Sequence, residues 1–212
     1  CVDCDIGLRN LDLALGLTDR ALMDFSDVAL DRCPLEAAVV AHPSIPNLYL
    51  LTAPVRMRGP AVTEEDFRRM LQKIRQQFDF CLLDAPAGLG RGFQLATCAA
   101  DRCVVVTTAD ASSLRDAQHT VMELDDFPAG ALHLVVNRVR KKLLRQLHAT
   151  IDDAIDKAGL PLLGVVPEDD ALPLCMNRGV PILLADGQSA ATAYRNIAKR
   201  LQGERVPLLR IR

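Results

Sequence analysis

Residues 80–88, Phe-Cys-Leu-Leu-Asp-Ala-Pro-Ala-Gly, constrain the fold of this chain more than any other stretch. Four apolar residues, Phe80 to Leu83, run without alternation into one carboxylate, Asp84, and Pro86 and Gly88 follow closely. An unalternating run of this length suggests a strand covered on both faces, as in a parallel sheet. Pro86 and Gly88 then break the strand and shape a loop. Asp84 falls at the carboxyl end of that strand, where open α/β sheets bind ligands. Taken alone, the same residues equally describe a strand closed by a turn-forming Asp. A second acidic strand end at the start of the chain, Val2-Asp3-Cys4-Asp5, favours the ligand reading.

The flanking segments alternate between helical and strand patterns. The sequence predicts helices over Thr18 to Leu30 and Pro34 to Ala41, then a strand over Asn47 to Leu51. A loop from Ala53 to Pro60 carries Arg56 and Arg58. Thr63 is suited to cap a helix whose first turn is acidic. Phe67, Met70, Leu71, Ile74 and Phe78 recur at helical spacing and read as core. Arg102 to Thr108 reads as a strand ending in Thr107, Thr108 and Asp110, with Ser112-Ser113 capping the helix that follows. Leu132 to Val136 is an apolar strand ending at Asn137-Arg138. Leu143, Leu144, Leu147, Ile151, Ala154 and Ile155 give one helix. Leu162 to Val166 is a strand running into Pro167-Glu168-Asp169-Asp170, Asn177 to Pro181 is a turn, and Ala190 to Leu201 a last helix. This alternation is the signature of a doubly wound, mostly parallel α/β sheet with right-handed crossovers. No linker or repeat interrupts it, so a single domain over 1–212 is expected.

Composition narrows the function classes. Half of the 212 residues are hydrophobic, enough for a sizeable core, and a net charge of -2 gives no global basic field for nucleic acid. No apolar run approaches membrane-span length and no signal peptide is visible. Seven Cys, an odd number with several in apolar runs, suggest reduced thiols and a cytoplasmic location. Cys1 and Cys4 form a CxxC, but on a buried strand alternate residues face opposite ways, so they read as packing. His42, His119, His133 and His148 show no metal-ligand spacing. Arg138, Arg140, Lys141, Lys142 and Arg145 form a basic cluster, either a solvated face or a contact for anionic lipid or DNA. No aromatic residue is interleaved there for base stacking, so nucleic acid is not the expected partner. The chain opens on Cys1 within strand-like residues, and a fragment with further sequence upstream is expected.

Polar residues collect at successive strand ends: Asp3/Asp5, Asp84, Thr107/Thr108, Asn137, and Pro167 to Asp169. Five such ends on one sheet edge suggest a nucleotide site. Asp3 and Asp5, at i and i+2 on an extended segment, point the same way. Such a pair suits magnesium, which keeps its waters, or the positioning of a water in phosphoryl transfer; a solvated acidic turn is the plain alternative.

The segments VDCDIGLRNLDLALGL, LLDAPAGLGRG, TTADASSLRDA, LVVNRVR, LLGVVPEDD, NRGVPI and AYRNIAKRLQGERVPL occur in order along nearly the whole chain. Together they resemble the MinD/ParA class of P-loop ATPases, and its division-site MinD members more than the chromosome-partition ParA members. The resemblance implies an ATPase that binds ATP and Mg2+ and dimerises. It assigns Asp3 and Asp84, the Walker B position, to magnesium and Asp5 in switch I to the attacking water. Gly7, Arg9, Asn10 and Asp12 fall in switch I and Gly88 in switch II. Asn137, Pro167, Glu168 and Asp169 match the adenine rim, and line one pocket with Asp84 if the strand order permits. Ser112, Ser113, Arg115 and Asp116 match a dimer and partner segment, although Gln118 stands where a second acid is expected. Implied partners are a second copy, a division inhibitor and a topological-specificity factor, with peripheral contact at the inner face of the cell membrane.

Two family features are missing from the resemblance. None of the five Lys follows a Gly, so the glycine-rich GK[ST] phosphate loop and its strand do not occur in these residues. The chain by itself is therefore expected not to turn over ATP. The family's C-terminal amphipathic helix is not matched in these residues, which stop at VPLLRIR, too short to lie stably on a membrane, and both a truncated tail and a real short form stay open. Two other readings stay open. One is a ParA-type partition or carrier ATPase gripping DNA or another cargo. The other is a metal-cluster relative, which needs paired Cys that Cys98 and Cys103 do not match.

Overall fold

Alternating apolar runs and helical stripes become parallel strands with helices between them. A computed structural model describes all residues except 57, 58, 186–188 and 210–212. Arg58 and the end of VPLLRIR thus lie outside the described residues. The chain divides into two compact units: residues 1–100 with 176–181, and 101–175 with those from 182 onward.

In the first unit, β1 (Val2–Asp3) leads through α1 (Leu11–Ala14), α2 (Phe25–Ala29) and α3 (Leu35–Ala38) to β2 (Val40–Ala41) and β3 (Tyr49–Leu50). Then come α4 (Glu64–Arg75), β4 (Leu83–Asp84) and α5 (Arg91–Thr97). β1 pairs with β4 in parallel, placing Val2 beside Leu83 and Asp3 beside Asp84. On its other side Val2 bridges Leu51 in parallel, and the Asp3 N–H donates to the Leu51 carbonyl at 2.9 Å. β2 and β3 form an antiparallel pair. The core gathers Val2, Cys4, Leu51, Met70 and Leu95 around Phe25 and Phe67, whose rings meet edge to face at 5.4 Å. Burying two such rings contributes several kcal/mol, with about 0.5–1.5 kcal/mol more from the edge-to-face geometry. α4 forms as its sequence predicts. Thr63 and Asp66 make a reciprocal capping box, and Phe67, Met70 and Ile74 are buried on one face.

Several expectations are corrected in this unit. Phe80 to Leu83 is not a strand covered on both faces: only Leu83 and Asp84 join a ladder, and Phe80 and Leu82 are 71% and 61% exposed. Among the described residues β1 is the sole strand partner of β4, so no strand covers its far edge, and residues 80–82 stay outside a ladder although the Leu82 carbonyl accepts the Val2 N–H at 2.8 Å. The helix over Thr18 to Leu30 shrinks to α2. Gly16 and Asp19 take left-handed φ values of 66° and 60°, and the Asp24/Asp27 capping box fixes a later start. The second half of Pro34 to Ala41 leaves the helix for β2. Cys1 and Cys4 carry free thiols, and burial pushes the Cys4 thiol well above its ordinary range, in keeping with packing rather than redox use.

The second unit holds a three-stranded parallel sheet, β5 (Cys103–Thr107), β6 (Leu132–Val139) and β7 (Leu162–Pro167), in the order β5-β6-β7. Its helices are α6 (Ala111–Met122), α7 (Lys141–Leu147), α8 (Ile151–Ala158), α9 (Ala171–Asn177, which ends in the first unit) and α10 (Ser189–Leu201); a 3₁₀ turn spans Ile182–Leu184. Val135, Leu163 and Val166 of the sheet pack with Ala190, Ala191 and Ala193 of α10. Gly164 has no side chain because Ile197 of α10 occupies the space a Cβ would need. The single helix expected from Leu143 to Ile155 is two. His148 takes a left-handed φ of 50°, and Thr150 starts α8 with its own capping box to Asp153. The cap of α6 is Asp110 and not Ser112-Ser113, because the Asp110 carboxylate reaches the Ser113 N–H at 3.0 Å. β6 does not end before Asn137: a bulge between Val136 and Val139 carries Asn137 and Arg138 inside the strand, with Arg138 at a φ of 52°.

The start of α5 seats on the end of β1. A Cβ at Gly92 would collide with the Cys4 carbonyl and lie 2.8 Å from the Pro86 ring, whereas one at Gly90 would meet nothing. Gly92→Ala should therefore cost about 1–3 kcal/mol and Gly90→Ala under about 1 kcal/mol, measured by urea unfolding of both variants.

Candidate functional site

Parallel pairing of β1 with β4 sets two carboxylates side by side. Asp3 and Asp84 are register partners at the carboxyl ends of their strands, so their side chains leave the same face. Like charges at such positions repel. Asp3 is fully buried, and its own loop answers the charge. The Asp5 N–H donates to Asp3 Oδ1 at 2.8 Å and the Leu11 N–H to Oδ2 at 3.2 Å. Burial pushes the Asp3 carboxyl up, the two amides pull it down, and the charges of Asp5 and Asp12 push it up again.

The loop between these two amides is the one expected to act as a switch. Gly7 adopts a φ of 100°, open to glycine and strained for other residues, and donates its N–H to the Pro54 carbonyl at 3.1 Å. Arg9 also lies in the left-handed region, at 46°, and its guanidinium pairs with the buried Asp12 at 3.0 Å. Asn10 precedes α1 without a side-chain capping bond. The Asp5 carboxylate accepts no hydrogen bond among the described residues; only its backbone is engaged.

Asp84 completes the cluster. Partial desolvation holds its carboxyl above the usual range, and the charges of Asp3 and Asp5 add to the shift. The chain then turns through Gly88, at a φ of 89°, into Gly90, the N-cap of α5. Three carboxylates within each other's field create a demand for positive charge. No group of three or more His, Cys, Asp or Glu able to cage a metal is present among the described residues. Carboxylates at two adjacent strand ends are donors of the kind a hard cation takes while keeping most of its waters, as magnesium does.

In the second unit the expected adenine-rim residues are tied into the fold. Asn137 sits in the β6 bulge, where its side-chain oxygen accepts the Arg138 N–H at 2.9 Å. Pro167 closes β7. Glu168 pairs with Arg138 at 3.0 Å and Arg140 at 3.7 Å. Asp169 ties the starts of α9 and α10, taking the Ala171 N–H, and the Ala190 N–H and Ser189 hydroxyl, each at 3.1 Å. The Ala190 amide foremost holds its carboxyl below the usual range. Ser112, Arg115 and Asp116 lie on the exposed face of α6, beside Gln118, which donates to the Lys157 carbonyl of α8 at 2.8 Å. Two features escaped the sequence reading. Asp110, bonded by the Thr108 hydroxyl and by Ser113, is held down at about 2; its place just before a helix was the available signal. The engagement of Asp3 by the Leu11 amide had no sequence signal.

The fold and its acidic strand ends define a nucleotide-handling α/β class. A family model described as "ParA: NUBPL iron-transfer P-loop NTPase" matches residues 1–202. The septum site-determining protein MinD of Bacillus subtilis (strain 168) is 39% identical over 210 residues, 98% of this chain and 78% of that protein. A chain of the MinC:MinD cell division protein complex of Aquifex aeolicus superposes with a TM-score of 0.89 at 33% identity, over 99% of this chain and 85% of that one. MinD of Pyrococcus horikoshii OT3, complexed with Mg-ADP, gives a TM-score of 0.79 at 26% identity, over 94% and 81%. The chain belongs to the ParA family of P-loop NTPases, on its MinD septum site-determining branch.

Asp3→Asn places an amide NH2 toward the loop where Leu11 N–H or Asp5 N–H needs an acceptor. It should cost about 2 kcal/mol or more and raise hydrogen exchange at the Asp5 and Leu11 amides, read residue by residue by NMR. At Asp84, whose shift has no hydrogen-bond cause, the substitution acts the other way. Its folded pKa lies above the unfolded one, so its charge adds no penalty below the ordinary carboxylate range and the full penalty above its raised value. Asp84→Asn should therefore raise the melting temperature at neutral pH, and the gap should close as the pH falls into the carboxylate range. A pH series of thermal melts on both proteins checks the sign.

Proposed function

We propose that residues 1–212 serve as one MinD-like nucleotide-binding domain that handles ATP and Mg2+, dimerises and contributes to placement of the bacterial division site. The observation that carries this reading is the trio Asp3, Asp5 and Asp84 at the ends of two parallel strands, with only Asp3 satisfied by backbone amides. When bound, magnesium neutralises charge on the phosphates of the nucleotide. Asp84, and Asp3 behind it, would hold that ion through its waters. Asp5, whose carboxylate is uncommitted, would accept hydrogen bonds from the attacking water and orient it. Gly7 and Gly88 would let their loops approach phosphate with no Cβ in the way. Asn137 and the Pro167 to Asp169 segment would face the base, mainly through backbone and the Asn137 amide, since the carboxylates of Glu168 and Asp169 already have partners. Ser112, Arg115 and Asp116 offer an exposed face for a partner of the kind named in the Aquifex aeolicus MinC:MinD complex. The setting would be the cytoplasm, at the inner face of the membrane. No helix among the described residues is long and apolar enough to cross a membrane.

A ParA-type carrier of DNA remains the second reading, on the strength of the Arg138 to Arg145 cluster. Two Asp mutants separate the proposed roles. In a chain extended upstream by a glycine-rich GK[ST] loop, Asp5→Ala should cut ATP hydrolysis by about 100-fold or more while sparing ATP affinity. Asp84→Ala should weaken magnesium-nucleotide binding itself. The 212 residues alone should show no magnesium-dependent turnover. Titration of a fluorescent ATP analogue beside a phosphate-release assay reads all three. Equal loss of binding in the two mutants, or turnover by the unextended chain, contradicts the assignment.

A further inference from the structure

α1 is a single helical turn, Leu11–Ala14, and one turn does not hold itself together in water. It is pinned from outside at both ends. At its start the Leu11 N–H donates to the buried Asp3 carboxylate at 3.2 Å. At its end the Leu15 carbonyl meets Nε2 of His42 at 3.1 Å. Just beyond, Gly16 takes a left-handed φ of 66° and lies backbone to backbone on Gly179, where a Cβ on either residue would collide with the other.

His42 leads the loop of the β2–β3 hairpin, Pro43-Ser44-Ile45-Pro46-Asn47-Leu48. The prolines have no N–H. The N–H groups between them, of Ser44 and Ile45, both donate to His42 Nδ1, at 3.1 and 3.0 Å. Amides only donate, so Nδ1 is the bare nitrogen and the ring proton sits on Nε2, where it donates to the Leu15 carbonyl. One neutral tautomer thus serves three backbone groups. The charged ring cannot, because a proton on Nδ1 would face two N–H groups. His42 is half-buried, so protons reach it from solvent. The loop 43–48 has no titratable side chain, and Tyr49 of β3 turns to Phe78. On the α1 side Arg9 and Asp12 pair with each other at 3.0 Å, followed by Asp19 and Arg20, with Arg178 beside Gly179. The partners of the ring among the described residues are all backbone.

We propose that His42 is a proton-operated latch on the loop that carries Asp5. Neutral, it ties the end of α1 to the hairpin. A proton added to Nδ1 from solvent expels the Ser44 and Ile45 amides, the ring swings out, and the Leu15 carbonyl loses its donor. α1 is then pinned by Asp3 at its start alone, and residues 5–17 loosen. The consequence for nucleotide rests on the function proposed above; the latch does not.

The test is amide hydrogen exchange by NMR on the 212-residue chain, without nucleotide, over a pH series through the imidazole range. Each rate is divided by the intrinsic rate at that pH. Protection at Ser44, Ile45 and Leu15 should fall about five- to tenfold as the pH drops, the factor that one lost hydrogen bond supplies. Long-range 15N spectra should show the Nε2-protonated tautomer at the upper end of the series. His42→Asn keeps an oxygen near the place of Nδ1 and removes the Nε2 donor. It should keep Ser44 and Ile45 protected at every pH, leave Leu15 about fivefold less protected throughout, and abolish the pH step. Amide shifts matching the parent outside residues 5–17 and 40–48 show that the variant folds. An Nδ1-protonated tautomer overturns the proposal, and so does Leu15 protection that ignores pH. A step that persists in His42→Asn also overturns it and would belong to Asp3. None of these readouts involves nucleotide, so their failure is distinct from failure of the proposed function.

Discussion

A buried carboxylate at the end of β1 sets the terms for the first unit. Asp3 has no exposure to water and lies in register with a second carboxylate, Asp84. Burying an ionised group costs several kcal/mol unless hydrogen bonds replace its hydration. Two backbone amides do so, from Asp5 and Leu11. Bonds from neutral donors to a charged acceptor contribute about 1.5–3 kcal/mol each, the same scale as the penalty. The charge and the loop therefore depend on each other. Residues 5–11 hold their course because Asp3 needs their amides, and Asp3 stays ionisable because the loop supplies them.

The direction of the pKa shifts separates two kinds of acid. In the second unit Asp110 and Asp169 are held below the usual range by the hydroxyl and amide donors of helix starts. Their charge is spent on capping helices. In the first unit Asp3 and Asp84 are held above it, chiefly by desolvation, with the charges of Asp5 and Asp12 adding at Asp3 and those of Asp3 and Asp5 adding at Asp84. Acids that the fold leaves under strain are candidates for chemistry, because a bound cation relieves what the protein does not. By this measure the β1–β4 strand ends are the stronger candidates for chemistry, whereas the charges of Glu168 and Asp169 are taken up by partners in their own unit.

Capping chemistry decided where helices begin, often against the apolar pattern. Asp24, Thr63, Asp110 and Thr150 each accept a backbone amide of the first helical turn. Thr63 was legible because a long amphipathic stripe follows it. Asp24 and Thr150 were not, because apolar residues lie on both sides of the cap and the stripe continues through it. The left-handed residues Asp19 and His148 break those stripes, and neither is a glycine that would have announced the break.

The fold class and the acids at Asp3, Asp5 and Asp84 were legible in the sequence, whereas the exact ends of β4 and β6 were not. Apolar runs and helical stripes are local patterns, and so is an Asp placed just before a Pro or Gly. The family follows from motifs kept in order along the chain. Only the tertiary structure decided which acids are satisfied and which are not. The Asp3 to Leu11 bond closes a loop and the Asp3–Asp84 register joins strands some eighty residues apart. Neither leaves a trace in local periodicity. The same limit explains Phe80 and Leu82: apolar character says that a residue benefits from cover, while only the assembled sheet says whether a neighbour provides it.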